Sequence, residues 1–242
     1  MGNDLCLVVR TGRIDYLVAW ELQKQLVQAR ASGAVADMLL LVEHPPTYTT
    51  GRGGDDRNAL FDEETLRRLG AVFYHSDRGG DITFHGPGQL VAYPIIDLKG
   101  WNRDVHAYCR SLEAVIISTL ADFGISGGRI QGATGVWVGS EKIAAIGVRV
   151  SRWVTSHGFA LNVEPDLSYF RHIIPCGIRD KGITSMARLL ETSVDREAVT
   201  RSVVQHFAQE FRRDPTEVTP PELISLAGIR DEEVAGQVNI WY

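Results

Sequence analysis

The chain has 242 residues, 44% hydrophobic and 23% charged, with a mean hydropathy of -0.07, a balance that excludes disordered and fibrous classes and fits a globular protein able to bury a sizeable core. Its 25 basic and 30 acidic residues leave a formal charge of -5, so no overall attraction to nucleic acid or anionic lipid is encoded. The opening MGNDLCLVVR has no basic segment ahead of a long apolar one, and runs such as MLLLV at positions 38–42 are far short of a bilayer span, so the expectation is a cytoplasmic protein without membrane association.

In chain order, Leu5 to Val9 reads as a short strand and Asp15 opens a helix with Val18, Leu22, Leu26 and Ala29 on one face, closed near Gly33. Met38 to Glu43 is a buried strand that runs into Pro45 and Pro46, after which Tyr48 to Gly54 reads as loop. A polar helix is predicted near Glu63 to Leu69, followed by strand-like runs at Ala71 to His75, Ile82 to Phe84 and Leu90 to Asp97, punctuated by glycine. Val105 to Phe123 carries the clearest helical spacing and ends at Gly124. Gly135 to Val138, Lys142 to Val150 and His157 to Val163 form an antiparallel meander, and helices follow near Asp195 to Phe211 and Glu222 to Ala227. Neighbouring strands with helices before and after argue an α+β fold, a mixed and largely antiparallel sheet in one domain over residues 1–242, with no repeat or linker to divide it.

Phosphate-binding glycine signatures and metal-ligand spacings are absent. The three cysteines, Cys6, Cys109 and Cys176, form no CxxC pair, so neither a disulfide frame nor a zinc knuckle is suggested. Cys6 lies in an apolar strand and Cys109 is assigned to the core face of the long helix, both inert packing, whereas Cys176 sits between Pro175 and Gly177 outside any periodic pattern. A structural and a nucleophilic role for Cys176 are equally compatible with that position. DRGGDITFHGPGQLVAYP, Asp77 to Pro94, packs glycines around one strand bracketed by Arg78 and His85; it reads either as two tight turns of a hairpin or as backbone shaped to approach a ligand. Small and apolar residues fill KIAAIGVRVSRWVTSHGFALNV, Lys142 to Val163, with one lysine at its entrance.

Taken with EHPPTYTTGR and IIPCGI, these segments resemble the lipoyl(octanoyl) transferases, in that family's order and spacing from about Leu5 to Met186. Residues 195–242 match no motif. The resemblance implies a biotin/lipoate protein ligase-like fold and transfer of an octanoyl group from acyl carrier protein to a lysine of lipoyl domains. Those acceptors belong to 2-oxoacid dehydrogenase complexes and the glycine cleavage system. It further implies Cys176 as acyl-accepting nucleophile and Lys142 as its partner. Arg78, Gly79, Gly80, Asp81, Ile82, Thr83, Phe84 and His85, then Ala145, Ile146 and Gly147, then Gly158, Phe159 and Ala160, would line the acyl site. The donor thioester arrives activated, so no cofactor, metal or ATP is expected, and the protein is expected to act as a monomer.

Physical chemistry agrees with these roles. An ammonium ~4 Å from a thiolate at an effective dielectric of ~20 is worth on the order of 4 kcal/mol before desolvation, and burying an octanoyl tail at about 0.8 kcal/mol per carbon gives roughly 5–6 kcal/mol. An acidic carrier protein would need local basic residues, for which Arg52, Arg57, Arg149, Arg152, Arg179 and Lys181 are available near the site segments. An ATP-dependent ligase, a cysteine hydrolase using His85 or His157, and a non-catalytic acyl-binding module remain the alternatives.

Overall fold

The computed structural model describes residues 4–174 and 181–229. A strand, β1 (Leu5–Arg13), leads into helix α1 (Tyr16–Ser32), whose N-cap Asp15 accepts from the Leu17 N–H and whose end is fixed by Gly33 in the left-handed region. The next strand, β2 (Asp37–Glu43), is buried along its whole length. Its side chains alternate between two cores: Leu39 and Leu41 face one, Met38, Leu40 and Val42 the other. That arrangement requires cover on both faces. On one face lie α3 (Val105–Asp122), through Tyr108, Leu112, Val115 and Ile116, and α5 (Arg196–Phe211), through Val199, Val203, Phe207 and Phe211. On the other lie α1 and α6 (Pro220–Leu226).

Among the described residues the main sheet runs β12 (Asp214–Glu217), β1, β2, β6 (Gln89–Ile95), β10 (Val154–Asn162), β9 (Glu141–Ser151), β8 (Ala133–Val138), β7 (Gly128–Ile130). The strand β11 (Gly182–Ile183) pairs with β9. β1 is parallel to β2 and β12, and β11 to β9; the remaining pairs are antiparallel. The fold is therefore the α+β, largely antiparallel arrangement expected. A second sheet orders β4 (Val72–His75), β3 (Thr47–Thr50), β5 (Thr83–His85), flanked by α2 (Glu63–Leu69). α4 (Met186–Leu190) follows β11. No helix among the described residues is long and apolar enough to cross a membrane.

Several sequence expectations change in the folded chain. Of the stretch Tyr48 to Gly54 expected as loop, Tyr48 to Thr50 belong to a buried strand, β3: the two prolines end β2, but the β-branched and aromatic run after them pairs with both β4 and β5. Strands β5 and β6 do not form a hairpin; they belong to different sheets, and Gly86 and Gly88 carry the chain across. Cys109 is half-buried on the flank of α3, beside rather than on its core face. The polar edge strand β12, unremarkable by composition, pairs parallel with β1.

Candidate active site

The hairpin β9–β10 sets the site. Its register places Ala145 opposite Ala160 and Gly147 opposite Gly158, so two successive rows of one sheet face carry almost no side chain. Strand β6 continues the floor with Val91 and Tyr93, which line the same cavity. Arg78, Gly80, Asp81, Ile82, Thr83 and His85 form its roof, and Lys142, Ile146 and Phe159 also border it. Two of the residues assigned to the acyl site are elsewhere. Gly79 binds β9 through its backbone, its N–H donating to Val148 O at 2.9 Å. Phe84 points away from the cavity, stacking on Tyr169 with ring centroids 4.5 Å apart.

Several polar side chains at the cavity are held by hydrogen bonds or ring stacking. Arg78, 6% exposed, donates through Nη2 to Thr49 O at 2.6 Å and so ties the roof to β3. Asp81 accepts from the Ile82 and Asp55 N–H groups and from Asn58 Nδ2, closing the loop of residues 51–58 beneath it. His85 is fully buried, stacked against Tyr16 at 5.8 Å. Burial first, then the neighbouring His44 and Arg78, holds its imidazole well below the usual range, hence neutral.

At the other end, Lys142 is 5% exposed and its Nζ lies 4.8 Å from the centroid of the Trp137 ring, a cation–π contact made under partial desolvation. Beside it, Gly135 at φ +120° adopts a conformation closed to most side chains and lets β8 approach β9 closely, since a Cβ there would fall 2.6 Å from Ala144 O. The site is also braced by a chain of amides that the sequence did not reveal. Gln89 Nε2 donates to Phe84 O and Asn162 Oδ1, and Asn162 Nδ2 donates to Thr184 O. This links β5, β6, β10 and the segment after β11 around one rim, with Ile183 paired against Lys142. Gln89 and Asn162 lie in segments that carry the family resemblance, but their bond to each other is exposed only by the fold.

Cys176 and Arg179 lie outside the described residues. The two described cysteines are poor nucleophiles. Burial, reinforced by Asp37, pushes the Cys6 thiol up to about 12, and burial with Glu113 pushes Cys109 up to about 11. Of the basic residues, Arg57 pairs with Asp55, Arg149 with Asp77, and Lys181 lies over the Trp137 ring at 5.6 Å.

A cavity lined mostly by apolar and small residues, with a buried lysine on its border, is suited to holding an apolar ligand. Solved structures share the fold. A lipoate protein ligase from T. acidophilum with bound lipoic acid superposes with a TM-score of 0.72 at 14% identity, covering 93% of each chain. A lipoate-protein ligase A bound with ATP gives 0.71 at 14% identity, covering 95% of this chain and 98% of that one. In sequence, octanoyltransferases are far nearer. That of Solibacter usitatus is 56% identical over 85% of this chain and 93% of its own. That of Rubrobacter xylanophilus is 54% identical over 84% and 92%, and that of Gloeobacter violaceus 49% over 85% and 90%. Residues 15–208 match the Lipoyl protein ligase A/B catalytic domain, and the chain belongs to that family. Its activity is octanoyl transfer in protein lipoylation, the work of an acyltransferase.

Proposed function

We propose that the chain acts as one catalytic domain that takes the octanoyl group from octanoyl-acyl carrier protein onto Cys176 and delivers it to a lysine of a lipoyl domain. The observation carrying this reading is the cavity bordered by paired small residues and by Lys142. The described chain stops at Ile174 and resumes at Lys181, so Cys176 lies seven residues before Ile183, the partner of Lys142 in β11–β9 pairing. With Cys6 and Cys109 held as thiols, Cys176 is the cysteine left for chemistry.

In the first half-reaction the Cys176 thiolate attacks the carrier thioester. An S–C bond forms, the carrier S–C bond breaks, and the Lys142 ammonium gives its proton to the departing thiolate. In the second, the acceptor lysine attacks the new thioester. The amide C–N bond forms, the Cys176 S–C bond breaks, and the neutral Lys142 amine takes the proton released by the incoming nitrogen. Neither step needs nucleotide, because the donor is already activated. Arg78, Gly80 to Thr83 and His85 from above, with Ala145 to Gly147 and Gly158 to Ala160 below, would bind the alkyl chain. A carboxylate-oriented histidine is present in the His157–Asp77 pair. It lies six residues and roughly 20 Å along β9 from Lys142, so the two groups do not act on one proton.

Intact-protein mass spectrometry after mixing with octanoyl carrier protein tests the reading. One octanoyl adduct is expected, mapped to Cys176, lost in Cys176→Ala and discharged by a lipoyl domain without ATP. An adduct on Cys6 or Cys109, or turnover in Cys176→Ala, overturns it. Lys142→Met should slow both half-reactions and shift iodoacetamide labelling of Cys176 to higher pH. Superimposable labelling curves would remove Lys142 from the activation of the thiol.

A further inference from the structure

The cavity does not fade into the protein; it stops at a wall, and one residue of that wall has open space behind it. Tyr16, Tyr93 and His157 line the cavity, and His157, opposite Val148 in the hairpin register, lies six residues along β9 from Lys142. Tyr93 is fixed by donating its hydroxyl to His44 Nε2 at 2.7 Å, since His44 Nδ1 is committed to Ile14 O. Tyr16 is stacked between His85 and Tyr74. Behind both lies core. Behind His157 lies a surface groove between α1 and the outer ends of β9 and β10, lined by Trp20, Gln23, Asp77, Arg149 and Ser156. The imidazole ring stands between the two spaces, 6.3 Å from the Tyr93 ring on the cavity side and 6.2 Å from the Trp20 ring on the groove side.

This partition is held by more bonds than packing requires. His157 Nε2 donates to Asp77 Oδ1 at 2.7 Å; the same oxygen accepts from Trp20 Nε1 at 3.0 Å, and Arg149 pairs with the other oxygen. The His157 N–H donates to Gln23 Oε1 at 2.7 Å. The backbone there is in the left-handed region, φ +54°, an uncommon state for a residue other than glycine or asparagine, kept only where surroundings impose it. Burial, with Arg78, Arg149 and Lys24 nearby, pushes the imidazole down to about 3. Because Arg149 already compensates the Asp77 charge, the ring stays neutral and presents its apolar face to the cavity.

We propose that His157, clamped by Asp77 and Gln23, is the chain-length stop of the acyl site, a plug that sets the longest acyl group accepted. The proposal rests on the acyl-site reading above and adds its terminus. Geometry supports the placement. An extended octanoyl group, seven C–C bonds of about 1.5 Å in zigzag, reaches roughly 9 Å. The roughly 20 Å of strand between Lys142 and His157 exceeds that reach, so a chain held near Lys142 and pointing along β9 runs toward the His157 ring.

The test compares kcat/KM for octanoyl, decanoyl, dodecanoyl and tetradecanoyl carrier protein with a lipoyl-domain acceptor. His157→Asn and His157→Gly both tolerate the left-handed backbone and open the wall in two steps. The wild-type enzyme should lose at least tenfold between octanoyl and dodecanoyl. His157→Gly should raise the dodecanoyl-to-octanoyl ratio by about fourfold per methylene newly accommodated, with His157→Asn between. Adding Ser156→Trp to His157→Gly should fill the groove and restore the original cutoff. A wild-type enzyme that uses dodecanoyl as well as octanoyl overturns the proposal, and this arm decides even if neither variant folds. A folded His157→Gly with an unchanged ratio also overturns it. Failure of the wild-type enzyme to transfer any acyl group would instead strike the acyl-site reading.

Discussion

Glycine and alanine share the cavity floor but should answer substitution in opposite ways, and the contrast tests whether the floor is a binding surface. At Gly158 a Cβ would fall 2.2 Å from Ala92 O and 2.6 Å from Pro94 Cδ. The missing side chain there lets β6 and β10 meet; it does not hold the cavity open. At Gly147 a Cβ would meet Gly79 O at 2.8 Å and Arg78 Cδ at 3.1 Å, so the roof segment rests on the bare backbone. Gly158→Ala therefore forces strand apart from strand, an overpacking cost of about 1–3 kcal/mol. In a protein of this size that lowers Tm by roughly 2–12 °C, with acyl preference preserved in the folded fraction. Ala160→Val places two extra carbons on a residue that lines the cavity. If they occupy the volume of two methylenes of the acyl chain, octanoyl loses about 1.6 kcal/mol relative to hexanoyl, roughly a fifteenfold change in the ratio of kcat/KM. Thermal melts of both variants, with transfer rates from hexanoyl and octanoyl carrier protein, supply the data. A Gly158→Ala variant with parental Tm and switched preference, beside an Ala160→Val variant with parental preference, would refute this account of the floor.

Cys6→Ala and Cys109→Ala should leave transfer unchanged, and at pH 8 neither native thiol should be alkylated at the rate of an ordinary exposed cysteine, since about 12 and about 11 leave almost no thiolate; fast labelling of either, read by peptide mapping, contradicts their burial. Asp37 accepts from Arg30 Nε at 2.6 Å and Arg213 Nε at 2.8 Å in the interior, so Asp37→Ala should strand two buried guanidiniums and cost about 3–5 kcal/mol in urea unfolding, a midpoint equal to wild type being the contrary result. Acid should destabilise the fold through His44, which burial holds down at about 4 against the ordinary 6.5. Folded His44 resists protonation, so stability is full above pH 6.5 and falls as pH drops toward 4, by at most about 1.4 kcal/mol per pH unit from this group. A His44→Gln variant should show a shallower decline over that window, and identical slopes would remove His44 as the cause.

Periodicity located what periodicity controls. Asp15, Asp104 and Asp195 each cap a helix whose apolar spacing had announced it, and the β9–β10 hairpin follows from alternating apolar runs around a turn. Failures came where pairing partners are distant in sequence. Tyr48 to Thr50 is polar enough to read as loop and is a strand only because β4 and β5 flank it, and β12 is a strand only because β1 offers an edge. The site divides along the same line. Local motif brought Lys142 and the roof segment to attention, while Tyr16, Gln89, Tyr93, His157 and Asn162 meet at the cavity from α1, β6 and β10. One part of the site was nevertheless present in the sequence without being readable there. Ala145, Gly147, Gly158 and Ala160 are each two residues apart on their strands, and a hairpin that pairs Phe159 with Ile146 must set them directly opposite on one face. A one-residue slip would turn the same four residues to the opposite face and bring round the larger side chains of Ile146 and Phe159, which pack in the core under α3 and α5. Register, rather than composition, is what sets those four small residues together on the face that borders the cavity.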